Sequence, residues 1–410
     1  MNASKRVVIV LAVCAIAFSA ACATAQDWPQ WRGPDRDGIV ADFNTPEVWP
    51  PDLTVAWTAT VGTGDATPAL VGDRLYVFSR QGDDEVALCL NAADGSELWR
   101  NAYAAEPPTG ASGRHPGPRS SAAVADGMMV TLGVRSVVSC LNTETGEVVW
   151  RGMPMGNTAP KFFTSMSPLI TDGMVIVQLG SEDSGGMVAL DLATGDEQWR
   201  WEGAGTAYAS PALMTVGDTT QVVTLTSSSV AGISLADGSL LWEIPFVPEG
   251  RAYNAATPII DGDTVIYTGA GRGTHRVRIV PGDDGFSVEP VWDNADVAVQ
   301  YDTPVVQDGL LFGLSNSGNL FCLDAATGET KWIVEESIDR GGFGPIVSTG
   351  DALFVLPSGG DLIAFAPTGD AYTELARMKV SDTPTYAHPV LSGNRIFIKG
   401  EDALTAWMLQ

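Results

Sequence analysis

Residues 321–332 read FCLDAATGETKW, and residues 188–199 read VALDLATGDEQW. Each is a short apolar run, an Asp-containing turn ending in Thr-Gly, and a tryptophan four residues after the glycine. Working outward, LCLNAADGSELW ends at Trp99, SCLNTETGEVVW at Trp150 and AGISLADGSLLW at Trp242, with a longer variant at Trp292. The gaps between successive tryptophans are 51, 49, 43, 50 and 40 residues. A second signature lies upstream of each, a Thr-Pro-like pair before an apolar run and a DG-type turn. It begins at Thr67, Ser121, Ser167, Ser210, Thr257, Thr303, Gly344 and His388. Pro68 to Pro389 spans seven intervals, about 46 residues each.

Within each repeat, four short runs are separated by Gly, Asp, Asn and Ser turns; the first repeat shows PALV, RLYVFS, EVALCLN and ELWRNA. Four strands per 40–50 residues predict one blade of a propeller. No window sustains a 3.6-residue period, which excludes a helical solenoid. The last copy supplies three strands before the chain stops, and LTVAWTATVG, with Trp57, precedes the first copy as an orphan strand. Pairing the two completes the last blade and leaves no open sheet edge between the chain's ends. The expected fold is all-β, an eight-bladed β-propeller of four-stranded antiparallel blades over residues 53–410. Seven blades is the competing count, because the copies at Gly344 and His388 depart most from the pattern.

The A-L-D-A-x-T-G-x-x-x-W signature resembles the pyrroloquinoline-quinone-type propeller repeat, and DWPQWRGPDRDG (Asp27–Gly38) resembles the leader of a group of exported bacterial proteins of that class. Arg or Glu, not Asp, follows most blade tryptophans, unlike WD repeats, and the paired glycines of kelch repeats are absent. The resemblance implies two functional branches, quinoprotein dehydrogenases and non-catalytic scaffolds similar to BamB, and the fold does not choose between them. The dehydrogenase branch implies a vicinal Cys-Cys pair, a Trp platform and calcium ligands, and this chain has no adjacent cysteines. Cys89, Cys140 and Cys322 instead share one register, ten residues before a blade tryptophan, with Ala189 and Gly232 in the same place. That tolerance marks a tightly packed strand position, where free Cys acts as a small hydrophobe.

Residues 1–25 read as a secretory signal peptide: Lys5 and Arg6, an apolar stretch from Val7 to Phe18, then Ala23-Thr24-Ala25. Ser19-Ala20-Ala21-Cys22 resembles a lipobox, so a lipid anchor on Cys22 is the minority expectation for an exported, periplasmic or secreted protein. No later segment is long and apolar enough to span a membrane. Residues 26–52 form an N-terminal extension with Trp28, Trp31 and Trp49. The chain has 23 Lys+Arg against 49 Asp+Glu, a net charge of -26, which repels a phosphate backbone and excludes nucleic acid as a partner.

Catalytic and metal motifs are missing. His115, His275 and His388 have no H-x-H or HExxH spacing, and no G-x-S-x-G occurs. Gly269–Gly273 has no helix behind it to cradle a phosphate. Asp94, Asp237, Asp261 and Asp308 sit beside Gly in hairpin turns, where Asp is favoured for its own backbone hydrogen bonds.

Propeller topology returns each outer-to-inner link to the mouth of the central channel. Those links carry Phe162, Phe163, Tyr208, Tyr253, Asn254, Tyr301, Asp302, Phe343, Tyr386 and His388, with the cations Arg114, Arg119, Lys161, Arg251 and Arg340. An aromatic ring with scattered cations suits a peptide, a glycan or a small anion. The expected function is an exported, non-catalytic binding or scaffold protein with a protein or peptide partner in the cell envelope, without cofactor or metal. The alternatives are a divergent quinoprotein oxidoreductase using pyrroloquinoline quinone with calcium, and a glycan-binding propeller.

Overall fold

The computed structural model describes residues 27–283 and 285–409. The signal segment 1–25, with Cys14 and the candidate lipid-anchor residue Cys22, lies outside them. The described chain forms eight four-stranded antiparallel sheets. Blade 1 runs from Ala69–Val71 to Glu97–Ala104, and blade 7 from Ile346–Ser348 to Glu374–Lys379. Blade 8 is closed as expected: Thr54–Thr60 pairs antiparallel with Ala403–Met408, from Thr54↔Met408 to Thr60↔Ala403.

The repeat signature is the device that joins one blade to the next. The indole Nε1 of Trp99 donates to Thr143 O (2.8 Å), Trp150 to Leu192 O (2.8 Å), Trp199 to Leu235 O (2.8 Å), Trp292 to Ala325 O (2.9 Å) and Trp332 to Thr368 O (2.9 Å). Each acceptor belongs to the following blade. In four of these five pairs the turn glycine of that blade lies under the same indole. A Cβ on Gly195, at φ 77°, would stand 2.7 Å from the Trp150 ring, and one on Gly146 2.4 Å from Trp99. The Thr-Gly of one repeat is therefore required by the tryptophan of the repeat before it.

Trp242 is the exception that follows the same logic. Blade 5 replaces the Thr-Gly turn with a long hairpin, Gly273–Gly282 and Gly285–Asn294. With no carbonyl offered there, Trp242 Nε1 turns to Gln221 Oε1 in its own blade (2.5 Å). Its ring covers Gly232, where a Cβ would meet it at 2.2 Å.

Cys89, Cys140 and Cys322 stand directly opposite Trp99, Trp150 and Trp332 in the strand register. All three are free and 0% exposed. Burial pushes their thiols up to about 11, about 12 and about 12 respectively. Two of the turn aspartates behave as expected of turn residues: Asp94 Oδ1 accepts from Ser96 N and Oγ, and Asp237 Oδ1 from Ser239 N and Oγ, whereas Asp261 pairs with Arg276 (2.6 Å). At Gly269–Gly273, Arg272 lies over the Phe246 ring, 3.8 Å from its centroid.

Candidate functional site

The Thr-Pro-like pairs line the channel, and their first residues form a chain of hydrogen bonds around it. His388 N donates to Thr67 Oγ1, Thr67 N to Ser121 Oγ, Ser121 N to Ser167 Oγ and Ser167 N to Ser210 Oγ. Ser210 N then donates to Thr257 Oγ1, and Thr257 N to Thr303 Oγ1; all six bonds are 2.9–3.0 Å. A hydroxyl is needed at this position because the backbone N–H of the preceding blade is buried and must be paired. The run stops where Gly344 offers no hydroxyl, and there Asp302 Oδ2 accepts the Gly344 N–H (2.8 Å).

One end of the channel is filled by the N-terminal extension. Trp28, 1% exposed, exchanges backbone bonds with Leu70 of blade 1, and Pro29 O accepts from Val124 of blade 2. Arg36 donates to Ser167 O and Pro168 O in blade 3. Arg32, also 1% exposed, donates to Thr303 O and Pro304 O in blade 6 as well as to Arg36 O and Asp37 O. Beyond them, Val40 bonds to Ser348 of blade 7 and Asn44 to Gly393 of blade 8. Desolvation draws the two guanidiniums down to about 10 and about 9, so both remain charged at neutral pH. Trp31, between them, packs edge-on against the His388 imidazole at 5.8 Å.

Above Trp31 lies a cup of about 330 Å³. Its rim is a run of rings, one from each successive link. His115 meets Tyr386 at 4.9 Å, Tyr386 meets Phe343 at 5.1 Å, and Phe343 stacks on Tyr301 at 4.2 Å. Tyr301 meets Tyr253 at 6.1 Å, and Tyr253 packs on both Tyr208 (5.0 Å) and Phe162 (5.1 Å). Arg119 closes the gap, donating to the carbonyls of Phe162, Ser112 and His115. His388 forms part of the cup, is 4% exposed, and its Nε2 has no hydrogen-bond partner. Burial and the nearby Arg32 hold it neutral, its pKa well below the usual 6.5. Burial also raises Asp302 to about 7.

Of the residues singled out from the sequence, Arg119, Tyr208, Tyr253, Tyr301, Asp302, Tyr386 and His388 line this cup, as do Phe162 and Phe343. Lys161, Arg251 and Asn254 line a neighbouring recess of about 270 Å³ behind Tyr208 and Tyr253. There the Asn254 amide is a framework group, donating to Thr226 O and Phe246 O. Phe163 and Arg340 line neither space. Phe163 adopts φ 65° and lies under the Arg135 guanidinium, while Arg340 is exposed. Arg114 ends the 3-10 turn Gly110–Arg114 and is also exposed. Trp31, Asp65, His115 and the ring of hydroxyls were not among the expected site residues. Their signals were the Ser or Thr that opens six of the eight pairs, and the Trp-Arg pairing in a leader of an acidic chain.

Pyrroloquinoline quinone with calcium would need convergent carboxylate and amide donors, and the cup does not fit it. Its carboxylates are Asp65, 3.1 Å from His115 Nδ1, and Asp302, held by the Gly344 N–H. Among the described residues, no three His, Cys, Asp or Glu side chains converge as metal ligands. Cys89, Cys140 and Cys322 are inside the blades.

Comparison with known proteins gives the same architecture. The family described as outer membrane protein assembly factor BamB matches residues 83–334. The BamB of Burkholderia pseudomallei is 24% identical over 370 residues, covering 86% of each chain. Among solved structures, BamB from Moraxella catarrhalis superposes with a TM-score of 0.64 at 15% identity, over 87% of this chain and 98% of that one. Quinohemoprotein alcohol dehydrogenase from Comamonas testosteroni superposes with a TM-score of 0.70 at 14% identity, over 93% of this chain and 80% of that one. The two branches thus share the blades, and the fold alone does not separate them. With more than half of its length matched, this chain belongs to the family of the outer membrane protein assembly factor BamB.

Proposed function

We propose that this protein is an exported, non-catalytic scaffold that takes part in assembling outer-membrane proteins, holding a protein or peptide partner on a propeller face. The observation that carries the reading is the furnishing of the channel. A Trp31–Arg32–Arg36 plug fills one end, and the carboxylates and cysteines that quinone chemistry calls for are dispersed or buried in the blades. The family match and its near-full-length relatives support the same branch. Exposed apolar side chains on the outer strands of adjacent blades, Leu98 in blade 1 and Val148, Val149 and Met153 in and just after the last strand of blade 2, suit a protein contact. Under this reading the chain works in the periplasm, bound to the membrane only if Cys22 is lipidated.

The test is removal of the gene from its native host with quantitation of outer-membrane β-barrel proteins. The expected result is a fall in their level, restored by the intact chain and also by an Asp302→Asn variant, since no chemistry at the cup is required. Unchanged barrel levels, or restoration that depends on added pyrroloquinoline quinone, overturn it.

A further inference from the structure

The scaffold reading makes no use of the cup, and the cup is built for more than packing. Arg119 enters from the link into blade 2 and Asp302 from the link into blade 6, four blades apart in a ring of eight and therefore on opposite walls. Among the described residues, no carboxylate forms an ion pair with Arg119 and no cation forms one with Asp302. Arg119 spends three hydrogen bonds on carbonyl oxygens, which orient the guanidinium, and the nearby Asp65, 3.1 Å from His115 Nδ1, acts on it without a direct ion pair. Asp302 accepts one backbone N–H and has no direct ion pair, although the buried Arg32 guanidinium acts on it from the plug side. Between them stand the rings of Tyr208, Tyr253, Tyr301, Phe343 and Tyr386. His388 adds a buried nitrogen with no partner in the protein. Leaving that buried nitrogen unpaired costs about 1–3 kcal/mol, a cost a ligand with a matching group removes.

We infer that the cup binds a small zwitterion with an aromatic or similarly apolar body, of the free amino acid or dipeptide class. Its carboxylate meets Arg119, its ammonium meets Asp302, and its apolar body lies among the tyrosines, with His388 offering one further polar contact. A simple anion would satisfy Arg119 but face Asp302 unpaired, and a simple cation would do the reverse. The volume, about 330 Å³, sits at the small end of ligand pockets and suits a compact guest. This inference goes beyond the assembly role and does not rest on it.

The test is calorimetric titration of the full mature chain with the dipeptide Ala-Phe, with N-acetyl-Ala-Phe, which lacks the ammonium, and with Ala-Phe-amide, which lacks the carboxylate. Ala-Phe is expected to bind saturably, and each blocked derivative at least tenfold more weakly. In Asp302→Asn, Ala-Phe and its N-acetyl form should bind equally while the amide stays weaker. Tyr253→Ala should weaken all three together, with a circular dichroism spectrum and melting curve to show that it folds. Absence of binding at low-millimolar Ala-Phe overturns the site. Equal binding of the blocked derivatives to the unmodified chain overturns the opposed-charge recognition.

Discussion

Replacing Arg32 with methionine tests the plug most directly, because the substitution keeps most of the stem's bulk and removes only the guanidinium. That group donates to four backbone carbonyls, two in its own segment and two in blade 6. Hydrogen bonds from a charged donor contribute about 1.5–3 kcal/mol each, so the gross loss is about 6–12 kcal/mol. Against this stands the cost of burying the charge. A pKa drawn from 12.5 to about 10 corresponds to about 3 kcal/mol, which the methionine variant recovers. The expected net loss is the difference, about 3–9 kcal/mol. Urea unfolding followed by tryptophan fluorescence reads it as a lower midpoint. Acrylamide quenching of the native state should also rise as Trp31 leaves the channel. A loss below about 1 kcal/mol with unchanged quenching would refute the assignment of Arg32 as the anchor.

Gly195→Ala should cost about 2–4 kcal/mol in the same assay, since it places a Cβ against Trp150 and forces φ 77° on an L-residue. Gly72→Ala, at φ 60° with nothing within 4 Å, isolates the backbone strain and should cost about 1 kcal/mol. Ser167→Ala strips the acceptor from the buried Ser121 N–H and should cost about 1–3 kcal/mol by thermal unfolding, with Ser167→Thr restoring most of it. Asp302 has a folded-state pKa of about 7 against an ordinary 3.8. Its contribution to stability is therefore fully present below about pH 4 and is lost as pH rises through 7. Unfolding measured from pH 4 to 8 should show Asp302→Asn gaining on the parent chain as pH rises, and a parallel pair of curves would contradict this. The three cysteines should be silent to a thiol reagent in the native protein at pH 8 and titrate as three thiols in guanidinium, consistent with thiol pKa values of about 11 to 12.

The blades were legible because each obeys a rule written within 50 residues of sequence. Trp150 needs Gly195, Trp99 needs Gly146, and Trp199 and Trp292 need Gly238 and Gly328 in the same way, so the pattern shows itself by recurrence. The plug was not legible because it occurs once. Trp28 meets Leu70, but Arg32 meets Thr303 across 271 residues, and nothing near either position reports the contact. The rim fell between these cases. Topology alone brings Tyr208, Tyr253, Tyr301 and Tyr386 to the mouth, because the links into successive blades return there. It does not say which of two adjacent rings faces inward. Phe162 and Phe163 were equivalent in the sequence, and the positive φ of Phe163 gives the cup to one and the outer surface near Arg135 to the other.

The outermost strand of the last blade is the first strand of the described residues, and the segment before it reaches blades 7 and 8. A chain delivered from its N-terminus therefore carries Thr54–Thr60 for the whole journey before its partner exists. Until Ala403–Met408 emerges, the ring is an open horseshoe with two raw sheet edges and an unfilled axis. A product lacking its last strand cannot mature by closing around what it has, because every earlier blade already has its full complement of strands. Completion of the molecule is thus a single late event that reports on both ends at once, and a C-terminal truncation should be seen by envelope proteases as an unfinished chain, not as a shorter propeller.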